Sequence, residues 1–157
     1  MAAISSGEDY SGGGVVSETQ ALYSTTSVLA TGDITVPDGK TTLKFEYDFV
    51  SAEFNEFVGS EFDDTFVVAI RGSSGVHSEV VTLVNIVGMV GDAGLLELPE
   101  PFTAADSTLL DAGSTGWKAK SVNISSLGNP ISIAFTVSDV GDSAYTTIVF
   151  IDNIRFE

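Results

Sequence analysis

Carboxylates and aromatic rings are interleaved along FEYDFVSAEFNEFVGSEFDD, residues 45–64. Seven acids (Glu46, Asp48, Glu53, Glu56, Glu61, Asp63 and Asp64) alternate with Phe45, Tyr47, Phe49, Phe54, Phe57 and Phe62. Rings at this density seek a core, so the acids between them cannot all drift freely in solvent. Carboxylates held close together repel one another, raise each other's pKa or bind a cation. Lys44 is the only adjacent base, and a bound metal is the simplest answer. Every candidate donor is oxygen, which selects a hard divalent ion and points to Ca2+.

The densest part is SAEFNEFVGSEFDD, residues 51–64. Glu53 and Glu56 are three apart and fall on opposite faces of an extended chain, so one ion reaches both only if the chain bends around Asn55 and Gly59. Gly59 permits the positive φ that such a bend needs. Phe62, directly before Asp63 and Asp64, is expected to lock the segment to the core. The competing account is a solvated acidic loop at a sheet edge, because closely spaced acids are a weak metal signal.

A second constellation is SDVGDSAYTTIVFIDNIRF, residues 138–156. Asp139 and Asp142 flank Gly141 in the form D-x-G-D, which projects carboxylates from a tight turn between two strands. Asp152 and Asn153 follow the apolar run 148–151. An acid buried in an apolar strand needs a partner or loses its charge. Arg155 shares a strand face with Asn153 rather than Asp152, so an ion shared with the first constellation is the fuller account. The alternative is an exposed Asp-Asn at a strand end.

Other residues offer less. His77, the only histidine, is read as a solvated loop residue in SSGVHSEV. Asn123–Ser125 fits the N-glycosylation pattern, which matters only in a eukaryotic secretory setting. Trp117 follows a Gly-Ser-Thr-Gly turn and is read as a core or rim aromatic rather than a sugar platform. No Ser/His/Asp pairing, nucleophilic cysteine, P-loop or dinucleotide fingerprint is present. Glu53 and Glu56 are nominal glycosidase acids, but their crowding with Asp63 and Asp64 suits a cation better. The expectation is a protein that is not an enzyme.

The elements that must position these groups read as strands. TTLKFEYDFVSAEF sets Leu43, Phe45, Tyr47 and Phe49 on one face and Lys44, Glu46 and Asp48 on the other, the period of a half-buried strand. DTFVVAIRG, ended by a Gly72–Gly75 turn, SEVVTLVNIV, WKAKSVNISSL, ISIAFTVSDV and TTIVFIDNIRF read likewise, and Pro37–Lys40 is a turn by composition. Residues 15–32 are a strand or a loop leading into one, and a short helix is expected near Thr103–Leu110. The fold class is all-β, an antiparallel β-sandwich or jelly roll. A length of 157 residues with 43% hydrophobic content fits one domain with a real core, despite a net charge of −16. Six Lys+Arg cannot make a phosphate-binding stripe, so no nucleic-acid partner is expected, and anionic membrane surfaces are disfavoured. No apolar run approaches the roughly 18 residues of a membrane span, so no membrane insertion is expected. Disulfides and Cys-ligated zinc are excluded by the lack of cysteine. MAAISSGEDY lacks the basic and apolar regions of a signal peptide, so the expectation is a monomeric domain excised from something longer.

TTLKFEYDF, SAEFNEFVGSEFDD, the TGW of Thr115–Trp117 and DVGDSAYTTIVFIDNI together resemble the Ca2+-dependent ligand-binding domains of bacterial repeats-in-toxin adhesins. They are also similar to domains of the choice-of-anchor type L. The resemblance covers roughly Ile34–Phe156. It implies a β-sandwich with several Ca2+ ions, extracellular on the bacterial cell surface, that grips the free C-terminus of a host or microbial protein and mediates adhesion. It implies that Glu53, Glu56, Asp63, Asp64, Asp139, Asp142 and Asp152 are ion ligands, with Asn55, Ser60, Tyr145 and Asn153 as ligand contacts. Relatives often read Y-D-[ST]-A where this chain has Tyr145-Thr146-Thr147-Ile148, so one acid of the pattern is missing at Thr146. A carboxylate ligand is compatible with a chain at −16 because an ion with an open position inverts the local sign. The alternatives are a Ca2+-dependent carbohydrate-binding module using Trp117, Tyr145 and Asn153, and a structural extender domain that Ca2+ only rigidifies.

Overall fold

Period-two alternation of apolar and polar side chains builds the clearest of the described strands. The computed structural model describes residues 1–6, 26–51, 64–82, 113–140 and 147–157. Among them are nine strands: β1 (Ala2–Ser5), β2 (Thr26–Ala30), β3 (Thr42–Ser51), β4 (Thr65–Gly72), β5 (Gly75–Thr82), β6 (Gly113–Ser114), β7 (Lys118–Asn123), β8 (Ile131–Ser138) and β9 (Thr147–Phe156). One sheet runs β1-β9-β3, with β6 and β7 both along the far side of β3; the other runs β2-β8-β4-β5. Every pairing is antiparallel.

The two sheets pack as a β-sandwich. In β8 the buried side chains are Ile131, Ile133, Phe135 and Val137, and in β4 they are Phe66, Val68 and Ile70. These meet Leu43, Phe45 and Phe49 of β3 and Val149 and Ile151 of β9 in one cluster. Phe135 sits at its centre, edge-on to Phe45 at 5.5 Å and stacked with Phe66 at 6.3 Å between ring centroids. Each such side chain contributes about 1.5–3 kcal/mol by leaving water. The turn at 37–40 forms as composition predicts: the Lys40 N–H donates to the Pro37 carbonyl, and Gly39 takes φ 78°.

One element was not anticipated, one expectation is corrected, and one falls outside the described residues. β1 is a strand although Ala2–Ser5 carries no legible period; four residues, two of them alanine, hold no alternation to count. Tertiary pairing makes it a strand. It lies along β9, Thr147 donates its N–H to Ser6 Oγ, and Ile4 enters the core. His77 lies within β5, opposite Ile70, and not in a loop. The segment expected to be helical, 103–110, lies outside the described residues.

Candidate functional site

The ladder between β4 and β8 ends at the pair Thr65–Ser138. Asp64 and Asp139 are the next residues outward on these neighbouring strands, so two acids 75 positions apart in sequence come together. Both are buried, at 0% and 2% exposure. The Val140 N–H donates to Asp64 Oδ1 at 2.9 Å, which ties the start of β4 to the chain leaving β8. At the same end of the sandwich, Thr147 Oγ1 donates to Ser51 Oγ at 2.8 Å, joining the end of β3 to the start of β9. From this end leave segments 52–63 and 141–146. They carry Glu53, Asn55, Glu56, Ser60, Asp63, Asp142 and Tyr145, all of which lie outside the described residues. Among the described residues, no three His, Cys, Asp or Glu side chains converge to hold an ion. Asp64 and Asp139 supply two oxygen donors of the kind a hard cation takes.

Asp152 and Asn153 lie elsewhere. Asp152 pairs with Glu46, five residues along β9 from Thr147, a run of about 17 Å. The expectation of a buried acid there is corrected: Ile148–Ile151 are buried, but the strand emerges at Asp152, whose side chain is 45% exposed. Its register with β3 slips between Lys44 and Glu46, and Asn153 takes φ 52°, which together turn the strand outward. Asp152 Oδ1 accepts the Asn153 N–H at 2.8 Å and lies 3.3 Å from the Met1 amino group; the first of these, then the second, holds its carboxyl below the usual aspartate value. Asn153 Nδ2 donates to Glu46 Oε2 at 2.6 Å. Lys44, the base nearest the acidic stretch, turns to Glu157 at 2.6 Å, which Arg155 also meets at 3.0 Å.

A third acid, absent from the expected ion ligands, is also buried and hydrogen-bonded. Asp48 falls on the outer face of β3, as its period requires, yet it is only 7% exposed. Val50, Ile148 and Phe150 on the same face are also buried, so this end of the sheet is covered on both sides. β6 and β7 are one interrupted strand along β3: Ser114 pairs with Val50, Thr115 donates its N–H to the Phe49 carbonyl, and Lys118 pairs with Tyr47. Gly116 and Trp117 therefore stand opposite Asp48 alone, as a β-bulge, with Gly116 at φ 60° where a side chain would be strained. Asp48 Oδ1 accepts the Ser114 hydroxyl at 2.7 Å and lies 3.3 Å from Thr115 Oγ1. Burial pushes the Asp48 carboxyl above its ordinary value, opposed by these hydroxyls, the Gly116 N–H and the charge of Lys118. The bulge turns two hydroxyls onto the carboxylate and leaves Trp117 44% exposed, on the rim rather than in the core. The legible signal was S-T-G-W: two hydroxyl residues and a glycine ahead of an aromatic.

Comparison with protein-family models gives no match, so the adhesin resemblance receives no family assignment. Comparison with curated proteins gives none either. Among solved structures the chain is similar to TmCBM61, determined in complex with β-1,4-galactotriose, at 13% identity and a TM-score of 0.41. The likeness covers 85% of this chain and 63% of that one, so this chain spans less than two thirds of its length. A likeness of this degree decides nothing about a ligand. The sandwich stands on its own strand pairing.

Proposed function

We propose that the chain is a non-catalytic, Ca2+-dependent binding module that captures the free C-terminus of a target protein, as part of a larger bacterial surface adhesin. The observation that carries this reading is the apposition of buried Asp64 and Asp139 at the end from which both acidic segments leave. Two carboxylates held together concentrate negative charge, and a divalent cation is the ligand that such a pair favours. An ion with an open position there attracts a terminal carboxylate to a chain that at −16 otherwise repels it. Calorimetric titration of peptides with a free C-terminus, in Ca2+ and in EDTA, tests it. Binding should vanish in EDTA and on amidation of the peptide terminus; binding that survives both removes the mechanism.

A saccharide ligand is the second reading, and the exposure of Trp117 favours it. An exposed indole offers a flat apolar face to a sugar ring. A panel of neutral oligosaccharides, tested with and without Ca2+, separates the two readings.

A further inference from the structure

We infer that the Gly116–Trp117 bulge and the open strip of sheet beside it form a saccharide platform, with Trp117 stacking on the sugar ring and Glu46 and Asn153 bonding its hydroxyls. The inference deepens the saccharide reading and rests on it.

The bulge fixes where the indole stands. Ser114 and Thr115, 2% and 6% exposed, are tied to Asp48, and Thr115 is further bound to both the N–H and the carbonyl of Phe49. An aromatic anchored to backbone held in this way loses little freedom on binding, which is what a stacking residue needs. Along the edge strand β7 the outward positions after Trp117 are Ala119 and Ser121, both small and both exposed. Ala119 pairs with Glu46, so the carboxylate lies one strand over from the methyl group that follows the indole. Two residues along the strand and one strand across put Glu46 about 8 Å from Trp117, backbone to backbone. That span suits one pyranose ring laid over Ala119 with its edge toward Glu46.

The polar edge of the platform has the right chemistry for a neutral sugar. Glu46 Oε2 and Asn153 Nδ2 already meet at 2.6 Å, presenting an acceptor and an amide side by side. A sugar hydroxyl both donates and accepts, and such a pair answers both capacities. The strip is bounded: beyond Asp48 the outer face is closed over Val50, Ile148 and Phe150. With a net charge of −16, the field of the protein disfavours an acidic polysaccharide and leaves an uncharged one unopposed. None of these groups belongs to the Asp64–Asp139 pair, so the platform works without Ca2+.

Trp117 is the only tryptophan, so tryptophan emission reports on this position alone. The experiment titrates the 157-residue chain, in EDTA, with neutral trisaccharides of glucose, galactose, mannose and N-acetylglucosamine, by emission and by calorimetry. At least one should give a saturable shift. Trp117→Ala should then weaken binding by more than about tenfold, as loss of a central aromatic anchor does. Glu46→Gln should weaken it several-fold, with the urea midpoint of both variants unchanged. Binding that Trp117→Ala retains puts the sugar elsewhere and overturns the platform while sparing the saccharide reading. No binding to any of the four in EDTA overturns the platform, and no binding when the titration is repeated in Ca2+ removes the saccharide reading as well. An emission shift produced only by a C-terminal peptide in Ca2+ assigns Trp117 to the peptide and also overturns the platform.

Discussion

Asp48→Asn isolates a buried charge at nearly constant shape. The carboxylate takes a hydroxyl from Ser114 at 2.7 Å and has Thr115 Oγ1 at 3.3 Å, while the Gly116 N–H donates to Ser114 Oγ at 2.9 Å. In the variant the amide oxygen keeps the hydroxyls, but the added NH2 needs an acceptor in a site that is only 7% exposed. Leaving that donor unmet costs about 1–2 kcal/mol at every pH. The second effect depends on pH. Burial raises the folded-state pKa of Asp48 above the ordinary 3.8, so the folded protein binds the proton more tightly than the unfolded chain does. The stability this contributes is fully present below the unfolded value and is lost as pH rises through the folded one. The wild type should therefore exceed the variant by about 1–2 kcal/mol near pH 3.5, and the gap should close or reverse toward pH 7. Urea unfolding of both proteins by circular dichroism across that window measures it, because the remaining acids cancel in the difference. A gap that stays constant, or widens with pH, refutes the argument that burial governs this carboxyl.

Two further outcomes follow from the same geometry. A Cβ added at Gly72 would run into the Leu127 carbonyl oxygen and lie 2.7 Å from its carbon. Backbone must then move, and Gly72→Ala should destabilise by about 1–3 kcal/mol; an unchanged urea midpoint would show that the 124–130 loop yields freely. If Ca2+ holds the Asp64 end of the sandwich, chelation should speed amide exchange at Val140 and Thr147, whose N–H groups bond Asp64 Oδ1 and Ser6 Oγ. Exchange at Lys40 and Thr42, bonded to Pro37 and Glu157 at the other end, should stay the same. Equal acceleration at both ends would point to general loosening instead of a local ion.

The strands were legible where burial is one-sided. β4 and β8 alternate cleanly because one face of each meets the core, and their periods read directly from Phe66, Val68, Ile70 and Ile131, Ile133, Phe135, Val137. Legibility ends where a strand is covered on both faces or leaves the core midway. In β3 the alternation correctly assigns Asp48 to the outer face, but it carries no information that this face is closed over there. In β9 the run Ile148–Ile151 suggests continued burial, whereas the bulge brings Asp152 out. Bulges are set by register between strands far apart in sequence, and no local period records them. The same limit hid β1, a strand only because β9 offers it an edge.

The apposition of Asp64 and Asp139 follows from topology. β3 and β9 are neighbours in one sheet, and β4 and β8 are neighbours in the other. The chain passes from the first sheet to the second between Ser51 and Asp64, and from the second back to the first between Val140 and Thr147. Antiparallel pairing puts both crossings at the same end, since Ser51 pairs with Thr147 and Thr65 with Ser138. Motifs some 80 residues apart are thereby fastened to one rim by two independent ladders. Any cation gripped from both crossings would tie four strands at once, coupling its affinity to the stability of the whole end. A loop that merely carried surface acids would need no such double anchorage, and neither Asp64 nor Asp139 would need to be buried.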